Sequence, residues 1–459
     1  MIPFISINGI IGEHVISKEN VKQIIKESQE FEFPDIVERD VKIPADTNKI
    51  VTITGPRRSG KTYLFYNKMK ELSDSGVPRE DMFYLNFDDP RVLPFDGKNI
   101  DAIIEAYHDL YPENKSKICY SFFDEIQNIS NWERGIRRLL DTGKFRIFLT
   151  GSSSEIFHES LSREMRGRSV NYELLPFSFK EILRTRGLKI DKNISYSKNR
   201  HSIIKELKFY SEFGGFPEAV LEENKTLRLR ILGEYWNTMF LKDMVERFSL
   251  RNEGAARELM RYLTTNISSV FSVTAFWKAL KEAYPMTKRT LLKYVSALEK
   301  TGLFILNRKY SFSLKEQMLS ARKCYLIDNG LRTAYGFRFS EDYGKVMENT
   351  VMIELKQRQL FSPLMEVYYW KDIKEVDFVV KQGTKITQLI QVCAKTYNME
   401  TKKRETTPLL KAGKEFKCHE LLIITSEEEK EEKHNGQVIK YIPLWKWLIR
   451  DSEKSVSQG

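Results

Sequence analysis

Residues 49–62, KIVTITGPRRSGKT, constrain this chain more than any other stretch. A β-branched run passes through a glycine-bounded loop into a helical pattern at Tyr63, Leu64 and Phe65. Gly55, Gly60, Lys61 and Thr62 occupy every fixed position of the phosphate-binding template G-x-x-x-x-G-K-[ST]. Glycines let the backbone wrap an anion so that successive N–H groups point inward. The helix that follows adds its unpaired first N–H groups and the positive end of its dipole. The whole loop, with Pro56, Arg57, Arg58 and Ser59 between the glycines, is therefore expected to cradle a nucleoside triphosphate. Lys61 should bridge the β- and γ-phosphates, and the Thr62 hydroxyl should ligate Mg²⁺.

A chain of 459 residues is too long for one core and should hold about three domains. With 41% hydrophobic and 12% aromatic residues it is globular in composition. Its 74 basic and 63 acidic residues leave a formal charge of +11, which favours an anionic partner such as nucleic acid. Cys119, Cys324, Cys393 and Cys418 lie far apart, without the paired spacing of a zinc site or a disulfide framework. The first residues lack a basic-then-apolar leader, and no run reaches the ~20 apolar residues of a membrane span. The expectation is a cytoplasmic protein with no membrane association.

Along the chain, Ser17 is placed to cap a lead-in helix whose Val21, Ile24 and Ile25 share one face. Arg39 is assigned equally to the neighbourhood of the nucleotide and to the surface. Residues 82–90 predict a strand closing in the Asp88-Asp89-Pro90 turn. Residues 117–127 form a largely apolar run that ends in Asp124-Glu125, the Walker B pattern. A buried strand would deliver Asp124 to the Mg²⁺ shell, and Glu125 would polarise the attacking water. Residues 145–154 predict another strand ending in small polar residues, of which Ser152 or Ser153 would contact the γ-phosphate and the water. Residues 161–168 carry three arginines. Arg168, with Arg166 behind it, is the candidate finger, acting in cis or from a neighbouring subunit of a homo-oligomer.

The order of these motifs resembles the prokaryotic and archaeal AAA-type ATPases of the extended P-loop class, which carry a C-terminal domain of uncharacterised function. The resemblance runs from residues 55–62 through 123–127, 149–153, 167–168 and 175–181 to Gly214-Gly215-Phe216-Pro217-Glu218, and covers nearly the whole chain. It implies an ATPase fold using ATP and Mg²⁺. Lys61 and Thr62 would hold phosphate and metal, Asp124 and Glu125 would serve Mg²⁺ and water, and Arg168 would be the finger.

Beyond the core, residues 181–250 are helical and charged, suiting a lid whose Gly214–Pro217 segment sets a bend. Residues 272–280 and 287–300 predict two helices before a strand pair, a winged-helix layout. Leu291, Val295 and Leu298 form its buried stripe, leaving Lys288, Arg289, Lys293 and Lys300 outside and Arg308 and Lys309 on the wing. A basic face of this kind fits DNA phosphates, although packing within an ATPase would also leave it solvated. The last part resembles the restriction-endonuclease-like fold, with Glu348 on a helix and Asp377 on a strand. Its metal-binding pattern fails at Gln391, where a carboxylate is needed, and at Cys393, where a lysine is needed. Lys395, on the same strand face by period-two alternation, is a substitute for that lysine. A degenerate, non-cleaving domain is the expectation.

The fold class that follows is an α/β P-loop NTPase core with a parallel sheet, a helical lid, a winged helix and an α/β restriction-endonuclease-like C-terminal domain. The boundaries read from sequence are 1–45 for the lead-in, 46–180 for the core, 181–250 for the lid, 251–318 for the winged helix and 319–459 for the last domain. The expected activity is Mg²⁺-dependent ATP hydrolysis coupled to a half that engages DNA. The alternatives are a nucleotide-gated scaffold with a protein partner, and an active DNA nuclease using Glu348, Asp377 and Lys395.

Overall fold

The computed structural model describes residues 18–92, 96–151, 165, 167–190, 199–336, 343–396 and 398–450. Ser17, Ser152, Ser153, Arg163 and Arg166, all singled out above, lie outside the described residues. The chain forms two compact units. The first contains the described residues before Val37, then Lys42–Thr54 and Lys61–Tyr172; the second contains Val37–Val41, Gly55–Gly60 and everything from Glu173 on.

The first unit is built on strands β1 (Ile50–Thr54), β2 (Met82–Asn86), β3 (Cys119–Asp124), β4 (Phe145–Gly151) and β5 (Ser169–Glu173), in the order β2-β3-β4-β1-β5. β2 with β3, β3 with β4, and β4 with β1 all pair in parallel. Every residue of β1 is buried, which is why it reads as an unbroken β-branched run instead of an alternating one. Helices Lys18–Glu30, Lys61–Asp74, Ile100–Leu110 and Trp132–Asp141 accompany this sheet. Val21, Ile24 and Ile25 bury the inner face of the first helix as its spacing predicts. β4 lies between β1 and β3, so the strand carrying the phosphate loop and the strand carrying Asp124 are separated by one neighbour. Their carboxyl ends lie on the same side of the sheet, where sites in open α/β sheets form.

The second unit opens with helices Phe179–Thr185, Asn199–Phe213, Pro217–Leu221 and Lys225–Thr238, the last running on as a π-helix over Met239–Glu246. A capping box starts the first of them: Ser178 Oγ accepts from the Glu181 amide at 3.2 Å, and the Glu181 carboxylate accepts from the Ser178 amide at 2.9 Å. Next come helix Glu253–Thr265, β6 (Ser269–Phe271), helices Val273–Leu280 and Lys288–Lys300, β7 (Phe304–Asn307), the short helix Leu314–Leu319 and β8 (Arg322–Leu326). β8 pairs antiparallel with both β6 and β7 in a three-stranded sheet. Leu291, Val295 and Leu298 are buried, as their stripe requires.

Helix Tyr343–Phe361 leads into a six-stranded sheet ordered β13-β14-β12-β11-β10-β9. Its strands are β9 (Met365–Lys371), β10 (Glu375–Gln382), β11 (Lys385–Val392), β12 (Leu421–Thr425), β13 (Lys430–His434) and β14 (Gln437–Pro443), with helices Met399–Glu415 and Leu444–Leu448 between and after them. The charge run 426–433 reads in sequence as a charged surface turn between two strands, whereas Lys430–His434 form the strand β13. Lys430 and Lys402 pair with Glu432 there, so the charge run forms an edge strand whose side chains discourage further strand addition.

One close approach holds this unit together. The Asp328 carboxylate accepts from the Gly215 and Gly330 amides at 2.6 and 2.7 Å, and the Gly215 carbonyl accepts from the Phe177 amide at 2.7 Å. Gly214 has φ +73°, and a Cβ added to it would stand 1.8 Å from the Asp328 carboxylate. Gly214→Ala therefore combines a left-handed backbone with a clash against an anchored anion. It is expected to lower stability by about 2 to 3 kcal/mol in denaturant melts.

Candidate functional site

In the first unit the site is organised by one buried carboxylate. Asp124 ends β3 and is 2% exposed. Three hydroxyls converge on it: Thr62 and Tyr84 donate to Oδ2 at 2.7 and 2.8 Å, and Thr150 donates to Oδ1. Burial, with Glu125 beside it, pushes the Asp124 carboxyl above its ordinary range. The Thr62 hydroxyl gives its proton to Asp124, which leaves its lone pairs for a cation. A hydroxyl and a carboxylate supply the hard oxygen donors that Mg²⁺ prefers, and one carboxylate matches its habit of retaining water. Lys61 is buried at the head of the same helix.

Glu125 stands next in a left-handed conformation, φ 53°, uncommon for a residue with a side chain. Its amide donates to Thr150 Oγ1 at 2.9 Å, so one threonine holds both acidic neighbours. The Glu125 carboxylate accepts from the Gln127 side-chain amide. Thr150, Tyr84 and Gln127 were not selected from sequence. The signal for Thr150 was a hydroxyl before a glycine at the end of an apolar strand, but small serines beyond it drew the assignment. No local signal marks Tyr84, because only strand pairing brings β2 beside β3.

In the second unit the loop Gly55–Gly60 is pinned by a buried arginine. Arg39 donates to the Ser59 carbonyl at 2.8 Å, to the Leu175 carbonyl at 2.6 Å and to Glu181 at 2.9 Å. Arg39 is thus buried against the loop as a brace for it, not a surface residue. Gly55 has φ +153°, and a Cβ on it would lie 2.1 Å from the Leu174 carbonyl; Gly60 has φ +96°. Arg57 pairs with Asp243 of the π-helix at 3.0 Å, and Arg58 reaches Glu218 at 3.6 Å and covers the Tyr235 ring. Pro56 is buried. Ser59 Oγ is buried without a hydrogen-bond partner among the described residues, an unmet polar group inside a loop shaped for an anion. Glycines and an unsatisfied hydroxyl fit a phosphate.

Arg168 requires a correction. Its carbonyl accepts from the Ile50 amide at 2.9 Å and its guanidinium donates to Asp141 at 2.7 Å. Ile50 begins β1, whereas the phosphate loop follows its end, so Arg168 stands at the amino edge of the sheet. Four residues of strand separate the two edges by roughly 13 Å, which rules out a cis finger. Ser152, the other sensor candidate, lies outside the described residues.

Among the basic candidates, Lys288, Arg289 and Lys293 are exposed on helix Lys288–Lys300, whereas Lys300 is half-buried. The wing residues are tied down. Arg308 and Tyr310 exchange backbone hydrogen bonds with Tyr369 of β9, and Lys309 pairs with Glu316 at 2.7 Å. Arg308 keeps an exposed side chain.

The acidic residues read from sequence as a vestigial metal site, Glu348 and Asp377, do meet, but around a lysine. Lys323, on β8 and 3% exposed, lies 2.7 Å from Glu348, 2.5 Å from Glu375 and 2.9 Å from Asp377. Tyr325 donates to Glu348 at 2.6 Å. Gln391 accepts from the Asp377 amide at 3.2 Å and donates to Glu405 at 2.6 Å. Lys395 is exposed beyond the end of β11, so the alternation that would have aimed it inward stops at Val392. It does not join the cluster, which corrects the proposed rescue. An ammonium fills the position a metal would need, and among the described residues no group of three or more His, Cys, Asp or Glu side chains is arranged to hold a metal. Burial, reinforced by Asp377 and opposed by Lys323, pushes Glu348 up to about 8.

Residues 47–183 match the AAA domain family, 204–341 match a domain of unknown function (DUF8612) and 343–447 match another (DUF4143). The AAA match supports a P-loop AAA-type core that binds nucleotide. The chain is 30% identical to the uncharacterised protein MJ1544 of Methanocaldococcus jannaschii over 98% of both chains. It is 26% identical to an uncharacterised protein of Haemophilus influenzae, over 87% of this chain and 94% of that one. Among solved structures, PCH-2 of C. elegans overlaps 61% of this chain and 66% of its own at 13% identity and a TM-score of 0.26. AMPPCP-bound DnaA of Aquifex aeolicus overlaps 61% and 86% at 16% identity and a TM-score of 0.22. Overlaps this shallow carry no argument about this chain. No helix among the described residues is long and apolar enough to cross a membrane.

The lysine-centred cluster makes a pH prediction. Glu348 has a raised pKa in the folded chain, so the native state keeps a proton that the unfolded state releases, and stability falls as pH rises from the ordinary carboxyl range to about 8. Asp328, raised to about 7 by burial, acts in the same direction. Glu348→Gln should flatten the decline in denaturation midpoint over that window without abolishing it, because Asp328 and the other carboxyls raised by burial, Asp124 among them, contribute the rest.

Proposed function

The chain belongs to one family with MJ1544, and on that premise we propose that it binds ATP with Mg²⁺, hydrolyses the γ-phosphate bond and couples the cycle to DNA. The observation that carries this reading is the convergence of Thr62, Thr150 and Tyr84 on the buried Asp124. A carboxylate held by three hydroxyls is one a divalent cation can claim at little cost. Lys61 and the Gly55–Gly60 amides would hold the phosphates, and Thr62 and Asp124 would hold Mg²⁺. The metal, when bound, supplies neutralisation of the charge that develops between the β- and γ-phosphates. Glu125 accepts a proton from the attacking water once Gln127 releases its carboxylate.

The element order helix, β6, helix, helix, β7, short helix, β8 supports a winged-helix assignment for residues 253–326, with Lys288–Lys300 as the helix that would enter a groove. Lys288, Arg289 and Lys293 would neutralise phosphates, with Arg308 beside them. The six-stranded sheet then serves as a non-cleaving platform, because Lys323 fills its carboxylate cluster. A protein partner is the second reading. Phe312, Leu314, Met318 and Leu319 are each at least 75% exposed beside the tied-down wing, an apolar surface unlike a phosphate contact.

Lys61→Ala should abolish nucleotide binding measured by fluorescent-nucleotide titration. Glu125→Gln should bind ATP normally while turnover falls by about 10²-fold or more. Two variants that hydrolyse ATP at the wild-type rate would overturn the site. For the partner, affinity for duplex DNA should fall steeply with salt, and replacing Lys288, Arg289 and Lys293 by alanine should reduce that log–log slope by about 2 to 3. An absence of DNA binding at low salt would favour the protein-partner reading.

A further inference from the structure

A cavity of about 160 Å³ opens in the first unit. Phe31, Phe33, Tyr66 and Tyr84 wall it, and Glu27, Asp89 and Arg91 stand at its rim. The rings form one continuous lining, with centroids 5.1 Å apart for Phe31 and Tyr66, 5.5 Å for Tyr66 and Tyr84, and 6.4 Å for Phe33 and Tyr66. Arg91 bonds both rim carboxylates, reaching Glu27 at 2.9 Å and Asp89 at 2.8 Å. Its hydrogen bonds hold both acids below the usual carboxylate range, so they stay charged. Two carboxylates against one guanidinium leave the rim with a net charge of about −1 at neutral pH.

That combination selects among ligands. Cavities near this size take a single six-membered ring. Aromatic faces attract cations through their quadrupole, more strongly when the cation is removed from water. The same residues already use this contact, since the Arg79 guanidinium covers the Phe33 ring at 4.3 Å. We propose that the cavity binds an organic cation, a guanidinium or alkylammonium group, between its aromatic walls and its acidic rim.

Tyr84 gives the site a consequence. Its ring is a wall of the cavity and its hydroxyl donates to Asp124 at 2.8 Å. A change at Asp124 that displaces this hydrogen bond moves the wall, and by linkage a cation against the wall alters affinity at Asp124. This coupling, unlike the binding itself, rests on the nucleotide reading above.

The test uses the full chain and titrates methylguanidinium, tetramethylammonium and neutral tert-butanol by calorimetry, with saturation-transfer NMR to locate the contacts. Both cations should bind one per chain, and tert-butanol should not. Phe31→Ala, at a site already 44% exposed, and Glu27→Gln should each weaken the cations about fivefold while leaving the melting curve unchanged. Equal binding of tert-butanol, or cation affinities unmoved by both substitutions, would overturn the site. Spermidine and an arginine-containing tripeptide separate the two sources of such a group: tighter spermidine indicates a free polyamine, and tighter tripeptide a partner's side chain. Adding AMPPNP with Mg²⁺ should change cation affinity at least about twofold in the wild type and not in Tyr84→Phe. An unchanged affinity despite bound nucleotide would refute the coupling, whereas a failure to bind nucleotide would refute the nucleotide reading and leave the cation site standing.

Discussion

The structure depends on burying one carboxylate at the carboxyl edge of a parallel sheet. A charged group placed there without partners would cost several kcal/mol. Asp124 avoids that cost through three hydroxyls drawn from three elements: Thr62 from the helix after the glycine loop, Tyr84 from β2 and Thr150 from β4. The strand order makes this possible, because β3 lies directly between β2 and β4. Hydroxyls suit a site that must exchange a ligand. They satisfy the carboxylate when it stands alone, yet bring no fixed positive charge to compete with a cation.

The glycine loop has a different support. Its backbone is held by Arg39, whose other hydrogen bonds run to Leu175 and Glu181, and its own arginines pair with Asp243 and Glu218. Leu175 is followed by Phe177, whose amide bonds Gly215, and Gly215 in turn bonds Asp328. Loop, bend and buried aspartate thus form one chain of hydrogen bonds within the second unit. Its glycines leave room for a carbonyl or carboxylate, and its charged groups leave water with partners already in place.

The six-stranded sheet holds a carboxylate cluster that a side-chain cation satisfies. Glu348, Glu375 and Asp377 need a cation, and Lys323 provides one permanently from β8. A tethered ammonium neutralises the cluster but accepts no water and cannot activate one. The same lysine joins the three-stranded and six-stranded sheets, so the cluster has become a structural contact.

By itself, the sequence determined the glycine loop, the acidic end of β3, the buried stripe of Leu291, Val295 and Leu298, and the defect at Gln391. Each depends on spacing within one element, which the linear pattern carries in full. Tertiary structure alone decided which residues meet. Tyr84 and Lys323 reach their carboxylates through strand pairing and sheet contact, Arg39 ties the loop to Leu175 and Glu181 more than a hundred residues further along the chain, and Arg168 stands away from its own loop because a strand has two ends. A long side chain on a surface-like stretch looks the same in sequence whether it will be solvated or buried against a charge. The difference lies in what the fold places opposite it, and no local pattern encodes that.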